Sequence, residues 1–190
     1  MRRTRAKAPV GGMPAVRAEA GQWGMLFRFG GLAALTHAGN TRPVGSTVMT
    51  HVGLKKVLSE NWMVPFYFGM SLGMRSPENL PSSTDFGFEG GGGIEYHFRI
   101  WRRISPFIGA TAGLFYVNPA GDDNWTLGFG VGPQVGVEYY IADRLSLTAM
   151  YMFSINLAVQ KSPGFPDSTT TTGFGMETLA GGALTMTYYF

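Results

Sequence analysis

From Gly21 to the last residue the large apolar side chains recur at every second position, through nearly every stretch between turn residues. Period two is the mark of an extended strand whose two faces meet different surroundings. Trp62, Val64, Phe66, Phe68, Met70, Leu72 and Met74 alternate with Asn61, Met63, Pro65, Tyr67, Gly69, Ser71, Gly73 and Arg75. Trp23, Met25, Phe27 and Phe29 alternate in the same way with Gly24, Leu26, Arg28 and Gly30. A third run sets Leu127, Phe129, Val131, Pro133, Val135, Val137 and Tyr139 against Gly128, Gly130, Gly132, Gln134, Gly136, Glu138 and Tyr140. One face is bulky and apolar, the other small or polar.

Eight such runs are predicted as strands, at about 22–35, 46–58, 62–75, 86–98, 104–117, 126–140, 145–159 and 174–190. The connections alternate between short ones (59–61, 99–103, 141–144) and longer polar ones (36–45, 76–85, 118–125, 160–173). An even strand number, with tight turns at one end and longer loops at the other, predicts an all-β fold: an eight-stranded antiparallel up-and-down transmembrane β-barrel. Both termini then fall on the short-turn, periplasmic side. Gly53-Leu-Lys-Lys, Gly93-Ile-Glu-Tyr and Gly136-Val-Glu-Tyr recur at spacings of 40 and 43 residues, one hairpin each. The echo fades at Gly182-Ala-Leu-Thr.

Side-chain size decides which face points inward. Eight strands enclose too little volume for a row of Trp, Phe, Tyr and Met, so glycine and polar residues fill the inside and the bulky row faces hydrocarbon. Aromatic residues also gather where the two water interfaces would lie: Trp23, Trp62, Tyr96, Phe98, Trp101, Tyr139, Tyr188 and Phe190 at the turn end, and Phe86, Phe88, Tyr116, Trp125 and Phe174 at the loop end. We take Trp23, Trp62, Trp101, Trp125, Tyr188 and Phe190 as membrane-interface anchors. Two other architectures compete. A soluble barrel or sandwich would put the aromatic rows in its core. A helical membrane protein would use the charge-free stretches 104–121 and 145–160, but the first contains Pro106, Pro119 and three glycines, and the second keeps its apolar residues on one parity.

Composition agrees with a chain between two solvents. Only 14% of the 190 residues are charged, against about 25% in ordinary soluble domains, while 28 are glycine. There is no cysteine, which excludes a disulfide framework and thiolate chemistry. The net charge of +3 is uneven: the first twenty residues hold five basic and one acidic side chain, the rest ten basic and eleven acidic. A nearly neutral body excludes a nucleic-acid surface. Residues 1–20 read as a flexible basic leader, a propeptide or a remnant signal, with Ala18-Glu19-Ala20 in the small-x-small form of a cleavage site; 21–190 is the barrel domain.

The chain resembles the small eight-stranded outer-membrane barrels of the OmpA and OmpX kind over residues 21–190. Its terminal Tyr188-Tyr189-Phe190 matches the aromatic-x-aromatic ending that the barrel-assembly machinery reads in that group, although the glycine usual five residues before the end is Thr185 here. The resemblance implies a bacterial outer-membrane location, with outer-membrane lipids and lipopolysaccharide as surroundings and the assembly machinery as a partner during insertion.

With the bulky parity outward, Arg28, His51, Lys55, Arg75, Glu89, Glu95, His97, Glu138 and Glu177 point into the lumen. Charges in so narrow a space must pair, which predicts a salt-bridged plug; the rival is an ion path lined by the same groups. No catalytic, cofactor or metal site is expected. The His-x-Ser pair of lipid A deacylases of this shape is missing, since His37, His51 and His97 are followed by Ala-Gly, Val-Gly and Phe-Arg. Asp122-Asp123-Asn124 reads as a turn, and 168–172 as a flexible loop tip. In the short connection, Arg99, Arg102 and Arg103 around Trp101 form a basic turn suited to anionic headgroups or to a protein partner. The expected function is a non-enzymatic scaffold or surface-interaction protein. A narrow channel is the alternative, and a lipid A-modifying enzyme comes third.

Overall fold

Side chains that alternate between two surroundings hold the chain extended, and each run above contributes a strand. The structure is a computed structural model and describes residues 17–29, 50–75, 83–118, 125–162, 169–178 and 183–190. Within these lie nine strands: β1 (Trp23–Phe29), β2 (Thr50–Val57), β3 (Trp62–Arg75), β4 (Ser83–His97), β5 (Ile104–Asn118), β6 (Trp125–Ala142), β7 (Leu145–Ser162), β8 (Thr169–Thr178) and β9 (Ala183–Tyr189). Sequence neighbours pair antiparallel from β1 to β7. β8 lies along residues 153–162 of β7 and β9 along residues 145–150, so these two segments together make the eighth stave. β9 also pairs with β1, which closes the sheet into an eight-stranded barrel. A closed sheet has no open edge, as a strand in hydrocarbon requires.

The bulky parity is outside. Phe66, Phe68, Met70, Leu72, Ile108, Phe129 and Val135 are all exposed, Leu72 to 71%. The opposite parity holds Arg28, His51, Lys55, Glu89, Glu95, His97, Gln134 and Glu138 at 3% exposure or less. The stretch 104–121, weighed above as a helix, is strand β5 as far as Asn118. No helix among the described residues is long and apolar enough to cross a membrane.

Two sequence expectations are corrected. Residues 160–173 were expected to form a loop, but β7 continues to Ser162 and β8 starts at Thr169, with Gln160 opposite Thr171 and Lys161 opposite Thr170. Four consecutive threonines are β-branched and suit a pleated ladder better than a free tip. The interior was expected to exclude bulky groups, yet Tyr67, Phe107, Phe115, Tyr140 and Tyr189 are buried. Cross-strand glycines accommodate three of them. A Cβ at Gly128 would lie 2.2 Å from the Phe115 ring, one at Gly136 2.5 Å from Phe107, and one at Gly91 2.6 Å from the Tyr67 hydroxyl. Each glycine is the direct register partner of its aromatic residue. The small parity thus supplies sockets for a few large rings.

Candidate functional site

The hairpin echo of the sequence has a structural cause. Gly53, Gly93 and Gly136 lie on the inward parity of β2, β4 and β6, where the neighbouring strand runs too close for a side chain. Their added Cβ atoms would fall 1.9 Å from the Phe66 carbonyl oxygen, 2.6 Å from that of Ala110 and 2.6 Å from that of Ala149. Two residues further along each strand, on the same parity, stand Lys55, Glu95 and Glu138. The repeat therefore delivers one cation and two carboxylates from alternate strands to one level of the lumen.

There they form a brace. Lys55 Nζ lies 2.8 Å from Glu95 Oε2 and 3.2 Å from Glu138 Oε2. His97 reaches Glu95 Oε2 through Nε2 at 3.0 Å and stands 3.6 Å from Glu138 Oε2 through Nδ1, with the Ser105 hydroxyl 3.1 Å from Nδ1. Ser146 Oγ and the Tyr189 hydroxyl donate to Glu138 Oε1 at 2.5 and 2.7 Å. One network thus ties β2, β4, β5, β6, β7 and β9 across the barrel. Its members are almost wholly screened from solvent, so each charge depends on its partners.

A second tier lies towards the loop end. Arg28 and His51 are cross-strand partners. The Arg28 guanidinium stacks 4.1 Å above the Tyr67 ring and donates to Met150 Sδ at 3.2 Å. His51 Nε2 is 3.1 Å from Glu89 Oε2, a close contact out of line for a hydrogen bond, and Tyr67 and Thr111 share a hydroxyl contact of 3.2 Å. This tier is less fully paired. Arg28 Nε and Nη1 and the hydroxyls of Thr148, Thr185 and Thr187 lack hydrogen-bond partners, beside a cavity of about 10 Å³ lined by Arg28, Lys55, Glu95 and those threonines. That volume is about one water molecule, and such groups are what a buried water satisfies.

Below the brace the turn end is stoppered. Ala18, Val57, Met63, Tyr140 and Tyr189 form a buried apolar cluster. The segment before β1 is seated on it: Arg99 Nη2 donates to the Ala18 carbonyl at 3.2 Å, Arg17 Nε to the Arg102 carbonyl at 3.3 Å, and Gly21 N to Val57 O at 2.8 Å. Burial, and next the Arg99 charge, lower the Arg17 pKa below the ordinary guanidinium value.

Of the other expected positions, Trp23, Trp62, Trp101, Tyr188 and Phe190 are exposed around the turn end, and Trp125 is half-buried at the start of β6. Arg102 and Arg103 are exposed and Arg99 half-buried. Arg75 ends β3 opposite Ser83 and Glu177 lies in β8 opposite Ser154, but both side chains lie outside the described residues. So do His37 and Asp122-Asp123-Asn124. Sequence reasoning missed Ser105, Ser146 and Tyr189 as brace members and Tyr67 as the platform for Arg28. Their inward parity was available; their height relative to the charges was not. Among the described residues no three His, Asp or Glu side chains group to hold a metal.

No family profile matches the chain, and no curated protein matches it in sequence. In structure it is similar to outer membrane protein AlkL, solved by solid-state NMR in DMPC lipid bilayers. The match has a TM-score of 0.53 at 14% identity and covers 98% of this chain and 97% of that one. At that identity the likeness concerns the fold, which is that of an eight-stranded outer-membrane β-barrel.

Proposed function

We propose that this chain is an integral, non-enzymatic barrel of the bacterial outer membrane, a scaffold or surface-interaction protein whose lumen is closed. The observation that carries the reading is the brace of Lys55, Glu95, Glu138 and His97, backed on the turn side by the Ala18, Tyr140 and Tyr189 stopper. A solute entering from the loop end meets first a set of desolvated ion pairs and then an apolar seal. The exposed rows of Phe, Leu, Met and Val take acyl chains, and outer-membrane lipids and lipopolysaccharide surround the wall. The turn end and both termini face the periplasm. His51 and His97 stand against the carboxylates of Glu89 and Glu95 on the inner wall, away from any lipid substrate, which favours a structural over a catalytic role.

A narrow channel for small solutes is the second reading, favoured by the threonine hydroxyls that line the small cavity without partners. Planar-bilayer recording separates the two. The closed reading predicts a quiet baseline after insertion of the wild-type protein. Steady unitary currents that change on Lys55→Ala or Glu95→Gln would establish the channel instead.

A further inference from the structure

The turn end is rich in basic side chains. Arg17, Lys56, Arg99, Arg102, Arg103 and Arg144 stand there against Glu19, Glu60 and Asp143 among the described residues. The contacts of Arg17 and Arg99 with backbone carbonyls orient their guanidinium groups without cancelling their charge. Ile100 and Trp101 project from the same connection, 67% and 54% exposed. An apolar track leads to it along the outer wall: Trp62 packs edge-on to Tyr96 at 5.0 Å between centroids, and Tyr96 edge-on to Phe98 at 5.2 Å. Phe98 directly precedes Arg99.

A ladder of rings that ends in a cluster of arginines matches a molecule with apolar tails and an anionic head. We infer that the 99–103 connection is a binding site for the phosphate headgroup of an anionic phospholipid, with Arg102 and Arg103 on the phosphate and the acyl chains against Trp62, Tyr96 and Phe98. Guanidinium suits phosphate because its planar N–H pairs match two oxygens at once. Tryptophan and isoleucine at the tip place the connection at headgroup depth. A protein partner would need a complementary acidic surface, whereas an anionic phospholipid brings the charge and the apolar tails in one molecule. The inference rests on the membrane reading above, because the track takes acyl chains only if the wall faces lipid.

The test is the association of spin-labelled phosphatidylglycerol, compared with spin-labelled phosphatidylcholine, with the full chain in phosphatidylcholine vesicles. Wild type should prefer the anionic lipid, by about five-fold for each arginine engaged. Arg102→Gln with Arg103→Gln should abolish the preference while keeping the Arg99 contact to Ala18. Millimolar inorganic phosphate should not remove it. Equal association of the two lipids with wild type would overturn the site and leave a protein as its occupant. Loss of the preference to inorganic phosphate would assign the arginines to a free anion. Failure of wild type to insert, seen as no protease-protected barrel, would instead defeat the membrane reading.

Discussion

Replacing Lys55 by methionine should destabilise the barrel by about 3–5 kcal/mol, the usual cost of breaking a buried ion pair from one side. Methionine keeps much of the alkyl volume and removes only the ammonium that Glu95 and Glu138 share at 2.8 and 3.2 Å. Ser146, Tyr189 and His97 stay in place, but two carboxylates then face each other in the lumen without the cation that holds them. The cost should come from the stranded charges more than from the lost contacts. Lys55→Met combined with Glu95→Gln and Glu138→Gln should therefore recover most of the loss, since neutral amides carry no such penalty. Urea unfolding in lipid vesicles, followed by tryptophan fluorescence and by the heat-dependent gel shift of folded barrels, measures both. A single-variant loss under about 1 kcal/mol, the size of an exposed pair, would mean that water reaches the brace.

Phe68→Arg should cost about 2–4 kcal/mol in vesicles, the penalty of a cation near the middle of the lipid face of a barrel. Phe68 sits halfway along β3, is 43% exposed, and packs against Phe88 at 5.3 Å between centroids. On a water-facing surface the same change would stay within about 0.5 kcal/mol. Phe68→Leu, which keeps the site apolar, should lose much less than the arginine. The same unfolding assay reads the difference, and near-equal stabilities for the two variants would place this face in water.

Much of the architecture was legible because each strand has only two faces. Period two in β3 and β6 fixed which side chains share a surface, and the contrast between Phe68 and Gly69, or Val135 and Gln134, fixed which surface is crowded. The strand ends around 160–173 were not legible, because a polar threonine run resembles a loop until its ladder partners are known. Parity also placed Lys55, Glu95, His97 and Glu138 on one side. It could not say that they meet, since that depends on the stagger between strands. The Gly-x-charged echo at 53–55, 93–95 and 136–138 held that information, for close strand approach and equal height go together there. Buried Phe107 and Phe115 escaped the size argument because their room comes from Gly136 and Gly128 on the next strand, a pairing visible only once the register is set.

The most direct test of the inside-out arrangement is collision of spin labels at Phe68 and Val135 with molecular oxygen, which concentrates in lipid, and with a water-soluble nickel complex, measured on the barrel in vesicles. Both positions should show high oxygen access and almost no nickel access. Strong nickel access at both would put the bulky rows in water and contradict the account.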